Sequence, residues 1–341
     1  MDFMAQYGLF LAKLITVVVF LFLIVGGIAL FTLRGRRIHR EDYLEVKHLN
    51  RKYENMALTL KSAVLPKKVF KQTLKEVHKA HKQAEKVMDE PSGKRRVFVL
   101  KFKGDIRASA VMALCEEITA VLEVARSEDE VVVLLESLGG LVHAYGLAAS
   151  QLVRIRQRNI KLTVAIDGLA ASGGYMMACV ADRIIASPFA IIGSIGVVAE
   201  LPNFNRLLKD LHIDYEQITA GEYKRTLTVF GENTEKGRAK LREEMEDLHA
   251  LFKDFIKEHR AQVDIPRVAT GEHWHGVRAQ ELKLVDELKT SDDYLLEASK
   301  TAELYEVSYH RKRHLVERVT WMAAKMFQRD RSMPQGPDVF S

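Results

Sequence analysis

The sequence predicts an α/β fold preceded by a single apolar helix, and three observations support that prediction. Leu14–Leu33 is a run of twenty residues without a formal charge, long enough to cross a hydrocarbon core of about 30 Å. From residue 97 onward, short β-branched runs alternate with segments of helical length, which is typical of parallel βαβ units. Glycine-rich turns follow three of these runs, and ligand sites of parallel sheets lie at the carboxyl ends of strands.

The apolar run makes residues 1–33 a predicted N-terminal transmembrane anchor. A cleaved signal peptide is the alternative, but the run is too long for one, and Arg34-Gly35-Arg36-Arg37 follows it instead of a small-residue cleavage site. Because more positive charge follows the helix than precedes it, the positive-inside rule predicts that the carboxyl side faces the cytoplasm.

Residues 34–96 carry the basic character of the chain, with 18 Lys and Arg against 8 Asp and Glu, whereas residues 97–341 carry 32 against 36. Apolar positions at helical spacing, broken at Pro66 and again at Pro91, predict a basic juxtamembrane helical stalk. Since the stalk adjoins the apolar run and contains no nucleic-acid-reading motif, we expect it to face anionic membrane phospholipid and no nucleic acid.

The folded domain is predicted over residues 97–290. Its first strands and helices are expected at 97–102, 108–125, 131–135, 142–156 and 162–166. Residues 291–341 are predicted to form a C-terminal basic helical segment and tail, with an amphipathic helix over 311–331.

No cofactor and no metal site are predicted. Cys115 and Cys179 lie in apolar surroundings without a CxxC or histidine spacing, so we expect reduced core thiols and no zinc site. His273 and His275 are two residues apart without a nearby carboxylate cluster, which fits a packed turn better than a pair of metal ligands.

The most informative stretch is Asp167–Tyr175, which follows the apolar run 162–166 and is typical of a strand that turns sharply into a buried helix. The turn would place Ser172 at a helix N-terminus, where unpaired backbone N–H groups stabilise developing negative charge. Ser172 is therefore a candidate nucleophile. The alternative is that its hydroxyl only caps the helix, as serines commonly do.

Two further turns, Ser137–Gly140 and Gly193–Val197, also place glycines where a strand stops. Such glycines allow the backbone to aim N–H groups inward, as an oxyanion hole requires. A nucleophilic serine also needs a base, and no histidine has the spacing of a Ser-His-Asp triad. Lysine is the alternative base, but the 51 Lys and Arg residues offer no unique candidate by themselves.

Five short motifs occur in order along the predicted domain, and they are Ser137–Gly140, Ala171–Tyr175, Gly193–Val197, Gly221–Lys224 and Gly271–Gly276. Together they resemble the signal peptide peptidase A family of membrane-anchored Ser-Lys serine proteases. The resemblance covers roughly residues 97 to 290. It implies the family's fold, a twisted sheet of ββα units similar to that of the Clp protease subunit and crotonase.

The resemblance implies a role for each matching position. Ser172 would be the nucleophile, and Lys224 would be the general base that later protonates the leaving amine. Ser194 would hydrogen-bond the lysine amine and orient it. The backbone N–H groups of Gly173 and Gly140 would form the oxyanion hole.

The resemblance also implies an assembly and a location. Family members with one such domain form octamers, so we expect a homo-oligomer in which Ser172 and Lys224 meet across a subunit boundary. We expect a single-pass protein of the bacterial inner (cytoplasmic) membrane. Family precedent places the catalytic domain in the periplasm, whereas the charge count favours the cytoplasm, so the side stays open.

The predicted function is that of a membrane-anchored serine endopeptidase that hydrolyses peptides such as signal-peptide remnants or misfolded segments. A crotonase-like acyl-CoA enzyme and a non-catalytic membrane scaffold are the alternatives. Leu138 departs from the family, which usually has proline there. Because proline would restrain the backbone, we expect Leu138 to change the oxyanion loop or a substrate pocket while the amides are retained.

Overall fold

The structure, a computed structural model, describes residues 8, 10–11, 13–23, 26, 42–87 and 95–311. The chain divides into two compact units, one comprising residues 1–43 with 310–341 and the other comprising residues 44–309. The second unit contains the predicted active site and most of the described secondary structure.

The first unit contains the predicted membrane anchor. Residues 13–23 are helical and their side chains are exposed. Beyond Leu23 the predicted span lies, apart from Gly26, outside the described residues. Among the residues that are described, no helix is both long and apolar enough to cross a membrane. The predicted C-terminal helix also lies outside them, apart from Arg311.

Strands and helices alternate along most of the second unit. The strands are β1 (Tyr43–His48), β2 (Arg96–Gly104), β3 (Glu130–Ser137), β4 (Lys161–Ile166), β5 (Leu169–Ala171), β6 (Arg183–Ala186), β7 (Ile191–Gly193), β8 (His273–His275), β9 (Glu287–Leu288) and β10 (Glu303–His310). The helices are α1 (Leu49–Val64), α2 (Lys67–Val87), α3 (Val111–Val124), α4 (Val142–Gln157), α5 (Gly173–Ala178), α6 (Asn205–Asp210), α7 (Glu235–His259), α8 (Ile265–Val268), α9 (Gly276–Glu281) and α10 (Ser291–Ala298).

The main sheet has the strand order β1-β10-β2-β3-β4-β6-β9, and the pairs from β10 to β9 are parallel. β5 and β7 form a parallel branch that begins at the end of β3, and β8 pairs with β7 in the antiparallel sense. The predicted α/β fold with a twisted sheet is confirmed.

The central strands are buried on both faces, which explains their continuous apolar runs. Val131, Val132 and Val133 of β3 are all fully buried. Because side chains alternate along a strand, Val131 and Val133 enter one core cluster, which α3 and α4 cover, whereas Val132 enters another, which α10 and the start of α1 cover. Burial of each such side chain contributes about 1.5 to 3 kcal/mol relative to exposure.

The sheet extends beyond the predicted domain at both ends of the sequence. β1 lies in the segment predicted as a helical stalk, and β10 lies in the segment predicted to be helical after residue 290. Within β10 only Leu304 and Val307 are buried. Because most of its other residues are charged or polar, the sequence shows no clear strand pattern there. Asn50 joins the two segments, because its side chain donates to the Ala302 carbonyl and accepts from the Leu304 N–H.

A buried carboxylate lies at the amino-terminal ends of the strands, called the amino edge of the sheet, opposite the predicted site at their carboxyl ends. Glu130 opens β3 and accepts hydrogen bonds from the hydroxyls of Thr163, at 2.5 Å, and Tyr294, at 2.6 Å. Arg95 forms an ion pair with the same carboxylate. Burial and the bond to Glu130 raise the pKa of Tyr294 to about 12. These charge-assisted bonds attach α10 to the amino-terminal ends of the strands.

Tyr294→Phe removes one hydrogen bond to a buried charge while keeping the ring. We expect it to lower the free energy of unfolding by about 1.5 to 3 kcal/mol, measured by urea denaturation of the purified chain. Tyr43→Phe is the control, because Tyr43 is exposed and its hydroxyl should contribute less than about 0.5 kcal/mol. Equal losses in the two variants would contradict the importance of the Glu130 bond.

Candidate active site

The predicted turns meet at the carboxyl edge of the sheet. β3, β5 and β7 pair in parallel and end beside one another, with Ala171 of β5 opposite Gly193 of β7. Since parallel strands point the same way, the turns that follow them leave the sheet side by side. The structure therefore brings together Gly140, Ser172 and Ser194.

Ser172 lies in a strained turn between β5 and α5. Its φ is 52° and its ψ is −119°, a conformation that costs a non-glycine residue about 1 to 3 kcal/mol. Its N–H donates to the Gly193 carbonyl at 2.8 Å, and its carbonyl accepts from the Met176 N–H at 3.0 Å, so the turn is held from both sides. The Ser172 hydroxyl makes no capping hydrogen bond to α5, so capping is not the role of this side chain.

The backbone around Ser172 leaves no room for side chains at two glycines. Gly139 has a φ of 86°, and a Cβ there would lie 2.6 Å from the N atom of Gly173 and 2.9 Å from Cβ of Ser172. A Cβ at Gly140 would overlap the carbonyl of Ile106. The glycine loop after β3 therefore packs directly against the start of α5.

Two backbone amides beside Ser172 are unpaired. In the described part of the chain, the N–H groups of Gly140 and Gly173 have no hydrogen-bond acceptor, as is normal for Gly173 in the first turn of a helix. The neighbouring amide is used differently, since the Gly139 N–H donates to the Ser137 hydroxyl at 3.0 Å. Unpaired amides next to a serine are what an oxyanion hole needs.

Ser194 is the counterpart of Ser172 on the next strand. It directly follows Gly193, has a φ of 51°, and donates its N–H to the Glu272 carbonyl at 2.6 Å. Because β5 and β7 pair in register, with Ala171 opposite Gly193, the two serines directly follow a pair of neighbouring residues on adjacent strands. The Trp274 ring of β8 packs against Gly193, so β8 supports the second serine turn, a role that no local sequence signal revealed.

Lys224 is not bonded to these groups within the chain. It lies between α6 and α7 in an irregular segment, its side chain is exposed, and its N–H donates to the Gly221 carbonyl at 3.2 Å. Within the ranges that the structure describes, its ammonium makes no hydrogen bond or ion pair with Ser172 or with any other group. It borders a depression of about 720 Å³ whose other lining residues include Leu201, Tyr215, Ile218 and Phe230.

Buried polar side chains hold α5 from the side away from solvent. Tyr175 is fully buried and donates its hydroxyl to the Leu284 carbonyl at 3.1 Å. Burial raises the pKa of Tyr175, so the phenol stays protonated. Arg260 is also buried and donates to Asp286 at 2.8 Å. Nothing in the sequence around Arg260 indicated that it would be buried in this ion pair.

The remaining candidates for special chemistry have ordinary contacts. The Nδ1 atom of His275 lies 3.2 Å from the Phe189 carbonyl, and Cys115 and Cys179 are both free thiols, of which Cys179 is buried. Over the described residues, no group of three or more His, Cys, Asp or Glu side chains is arranged to hold a metal ion.

Comparison with known proteins identifies the family. Residues 2–152 match Peptidase family S49 N-terminal, and residues 154–305 match Peptidase family S49. The chain belongs to peptidase family S49. The resemblance indicated by the glycine and lysine motifs is confirmed, and this S49 protein is a peptidase.

Relatives of this S49 peptidase match it along most of their length. Probable protease SohB of Haemophilus influenzae is 47% identical, over 93% of this chain and 92% of its own. Probable protease SohB of Buchnera aphidicola subsp. Acyrthosiphon pisum is 47% identical, over 94% of each chain. A solved lysine-to-alanine mutant of the 1510-N membrane-bound stomatin-specific protease, in complex with a substrate peptide, is 13% identical, with a TM-score of 0.42 over 68% of this chain and 99% of that chain.

Gly139→Ala should remove most of the activity of this S49 peptidase while the chain stays folded. The new Cβ would require a positive φ and would collide with the start of α5, so the loop amides would move away from Ser172. We expect the rate of hydrolysis of an unfolded protein to fall about 100-fold.

Gly146→Ala is the matched control, because a Cβ at this position in α4 meets nothing within 4 Å. Its activity should be unchanged, and its free energy of unfolding should rise by about 0.4 to 1 kcal/mol. Wild-type activity in Gly139→Ala would contradict the close packing of the glycine loop against the Ser172 turn.

Proposed function

We propose that this S49 peptidase is a serine endopeptidase that uses Ser172 and Lys224 as a catalytic dyad. The Ser172 turn carries the proposal, because a strained serine with a hydroxyl not used for capping stands beside the unpaired amides of Gly140 and Gly173. A peptide carbonyl bound there would have its carbon next to the serine and its oxygen next to both N–H groups, the arrangement that acyl transfer needs.

The proposed reaction has two stages. Ser172 Oγ attacks the carbonyl carbon while the neutral amine of Lys224 takes the hydroxyl proton, and the two glycine amides stabilise the oxyanion. The C–N bond then breaks, and the lysine returns the proton to the leaving amine. In the second stage the same amine takes a proton from a water molecule, whose oxygen attacks the acyl carbon. The bond from that carbon to Ser172 Oγ then breaks, and the lysine returns the proton to the serine. Ser194 would hydrogen-bond the amine and orient it.

We further propose that Lys224 completes the active site of a neighbouring subunit. The lysine arm, residues 197–233, carries Lys224 and exposes many apolar side chains. Val198 is 80% exposed and Ile218 is 95% exposed. Contiguous exposed apolar surface marks an interaction site, and a second copy of the chain would cover it. The other exposed apolar residues of the arm include Leu201, Phe204, Leu207, Leu211, Ile213, Tyr215, Tyr223 and Phe230.

A homo-oligomer follows from this arrangement, and the octamer expected from the sequence resemblance is one such assembly. The lysine would enter a site from which the packed subunits exclude water, and loss of water favours the neutral form of an amine. An isolated subunit would have the nucleophile and the oxyanion donors but no base, so activity would depend on assembly.

We also propose that residues 1–33 anchor the protein in a bacterial inner membrane and that α2 faces anionic phospholipid. The first turns of α2 combine positive charge with exposed apolar side chains, and these residues are Lys67, Lys68, Val69, Lys71, Leu74 and Lys75. That combination suits the surface of a negatively charged bilayer. Substrates would then be peptides near the membrane, such as signal-peptide remnants or misfolded segments.

Ser172→Ala and Lys224→Ala should each lower the rate of hydrolysis of an unfolded protein by at least about 1,000-fold, since they remove the nucleophile and the base. Lys209→Ala is the matched control, because Lys209 is another exposed lysine of the arm and pairs with Glu232 at the surface. Such a pair contributes little, so the rate should be unchanged.

A normal rate of hydrolysis in Lys224→Ala would contradict the Ser-Lys dyad. Hydrolysis that persists in Ser172→Ala would indicate a different peptidase mechanism. A wild-type chain that neither cleaves an unfolded protein nor reacts with a serine-directed probe would favour the scaffold. Binding of acyl-CoA by that chain would favour the crotonase-like alternative.

Co-assembly of the two inactive variants tests the proposed subunit boundary. Oligomers formed from equal amounts of Ser172→Ala and Lys224→Ala should recover about a quarter of the wild-type rate, because random mixing places an intact serine beside an intact lysine at about one interface in four. Each variant assembled alone should stay inactive. Mixed oligomers, verified by mass, that recover no activity would show that the dyad does not form across subunits.

A further inference from the structure

Two buried hydroxyls lie beneath the proposed oxyanion hole, and the reaction described above does not use them. Tyr145 of α4 is fully buried, and its hydroxyl donates to the Asp105 carbonyl at 2.7 Å. The Ser137 hydroxyl, at the end of β3, lies 2.5 Å from the Tyr145 hydroxyl oxygen. Ser137 is itself buried and accepts the Gly139 N–H at 3.0 Å. The four groups form one continuous hydrogen-bonded chain.

The hydroxyl protons of this hydrogen-bonded chain can point in only one direction along it. A carbonyl oxygen only accepts, so the single phenolic proton of Tyr145 goes to Asp105. The Ser137 proton must then go to the Tyr145 oxygen, which leaves the Ser137 oxygen to accept from Gly139. Burial raises the pKa of Tyr145, so the phenol keeps its proton at neutral pH. Loss of the Ser137 hydroxyl would remove the bond to Gly139, and loss of the Tyr145 hydroxyl would leave Ser137 without the partner that orients it.

The ring of Tyr145 also contacts the other side of the proposed oxyanion hole. A Cβ at Gly173 would lie 2.5 Å from Cγ and 2.8 Å from Cβ of Tyr145, so the aromatic side chain packs directly on the Gly173 backbone. Gly139 packs on the same backbone from the loop. One side chain therefore supports both glycine segments, through hydrogen bonds on one side and through direct contact on the other.

We propose that Tyr145, acting together with Ser137, is a positioning residue that aligns the Gly140 and Gly173 amides for the oxyanion. The inference rests on the proposed function, which assigns that role to the two amides. By holding the Gly139 N–H, Ser137 orients the loop backbone from which the Gly140 N–H projects. Leu138 places no ring restraint on its own φ, so the loop depends on these bonds. Donors that are fixed before the reaction stabilise the transition state without reorganisation.

Tyr145→Phe keeps the ring and removes the hydroxyl, so it tests the hydrogen bonds separately from the contact of the ring with Gly173. We expect kcat for peptide hydrolysis to fall about 10- to 100-fold, while KM stays within about twofold. Affinity for a peptide aldehyde, whose hemiacetal oxygen would occupy the hole, should fall by a similar factor. Ser137→Ala should have the same effects. The double variant should lose little more than either single variant, because both substitutions break one network.

Tyr294→Phe is the matched control, because it removes a buried tyrosine hydroxyl at the opposite edge of the sheet. It should lower stability and leave kcat and aldehyde affinity unchanged. The positioning role is overturned if Tyr145→Phe has the kcat and aldehyde affinity of the wild type or of this control. Should Tyr145→Phe fail to fold, Ser137→Ala decides by the same criteria.

Ser172→Ala, measured in the same assay, separates failure of this inference from failure of the proposed function. If Ser172→Ala cleaves as fast as the wild type, both the proposed function and the positioning role that rests on it are contradicted. If Ser172→Ala is inactive and Tyr145→Phe is fully active, only the positioning role is overturned.

Discussion

The hydrogen bond from the Ser172 N–H to the Gly193 carbonyl is the contact on which the rest of the site depends. It continues the parallel ladder of β5 and β7, and just beyond that ladder both strands turn with positive φ, at Ser172 and Ser194. Such turns are costly for serine. The surrounding packing offsets the cost, with Gly139 against one turn and Trp274 beside the other. The strained serines are therefore stable only in the assembled sheet.

The two edges of the sheet stabilise different kinds of polar group. At the amino edge, the buried carboxylate of Glu130 forms an ion pair with Arg95 and accepts hydrogen bonds from two hydroxyls, as a buried charge requires. At the carboxyl edge, the groups that converge on Ser172 are uncharged glycine amides, supported by the hydroxyls of Ser137 and Tyr145. Fixed neutral donors suit a negative charge that exists only during a reaction. The contacts at the amino edge stabilise the fold, and the groups at the carboxyl edge are the ones proposed to act in catalysis.

Lys224 differs from the other proposed catalytic groups because the packing of its own subunit does not hold it. The lysine arm exposes apolar side chains, and within the described ranges the Lys224 ammonium has no partner. In the proposed assembly, the same contacts that bury the arm would bring the base to the serine. A peptidase of this kind would be inactive before it assembles, which would protect unassembled neighbours from cleavage.

The amino-acid sequence by itself determined the local features of this protein. The α/β alternation, the strand-to-helix turn at Ser172 and the glycine loops follow from apolar periodicity and from the backbone freedom of glycine, which act over a few residues. The ordered motifs were also enough to indicate the peptidase family. None of these features depends on which distant segments of the chain come into contact.

Only the tertiary structure decided which distant segments meet. The pairing of β10 with β2, the bond between Asn50 and Leu304, and the bond from Tyr175 of α5 to the Leu284 carbonyl all join residues that are remote in the sequence. Tyr145 occupies an ordinary position of a predicted helix until folding brings its hydroxyl to Ser137 and its ring to Gly173. Such long-range contacts depend on how whole strands and helices pack. Burial of apolar side chains and satisfaction of polar groups are determined by the complete core and not by a few neighbouring residues.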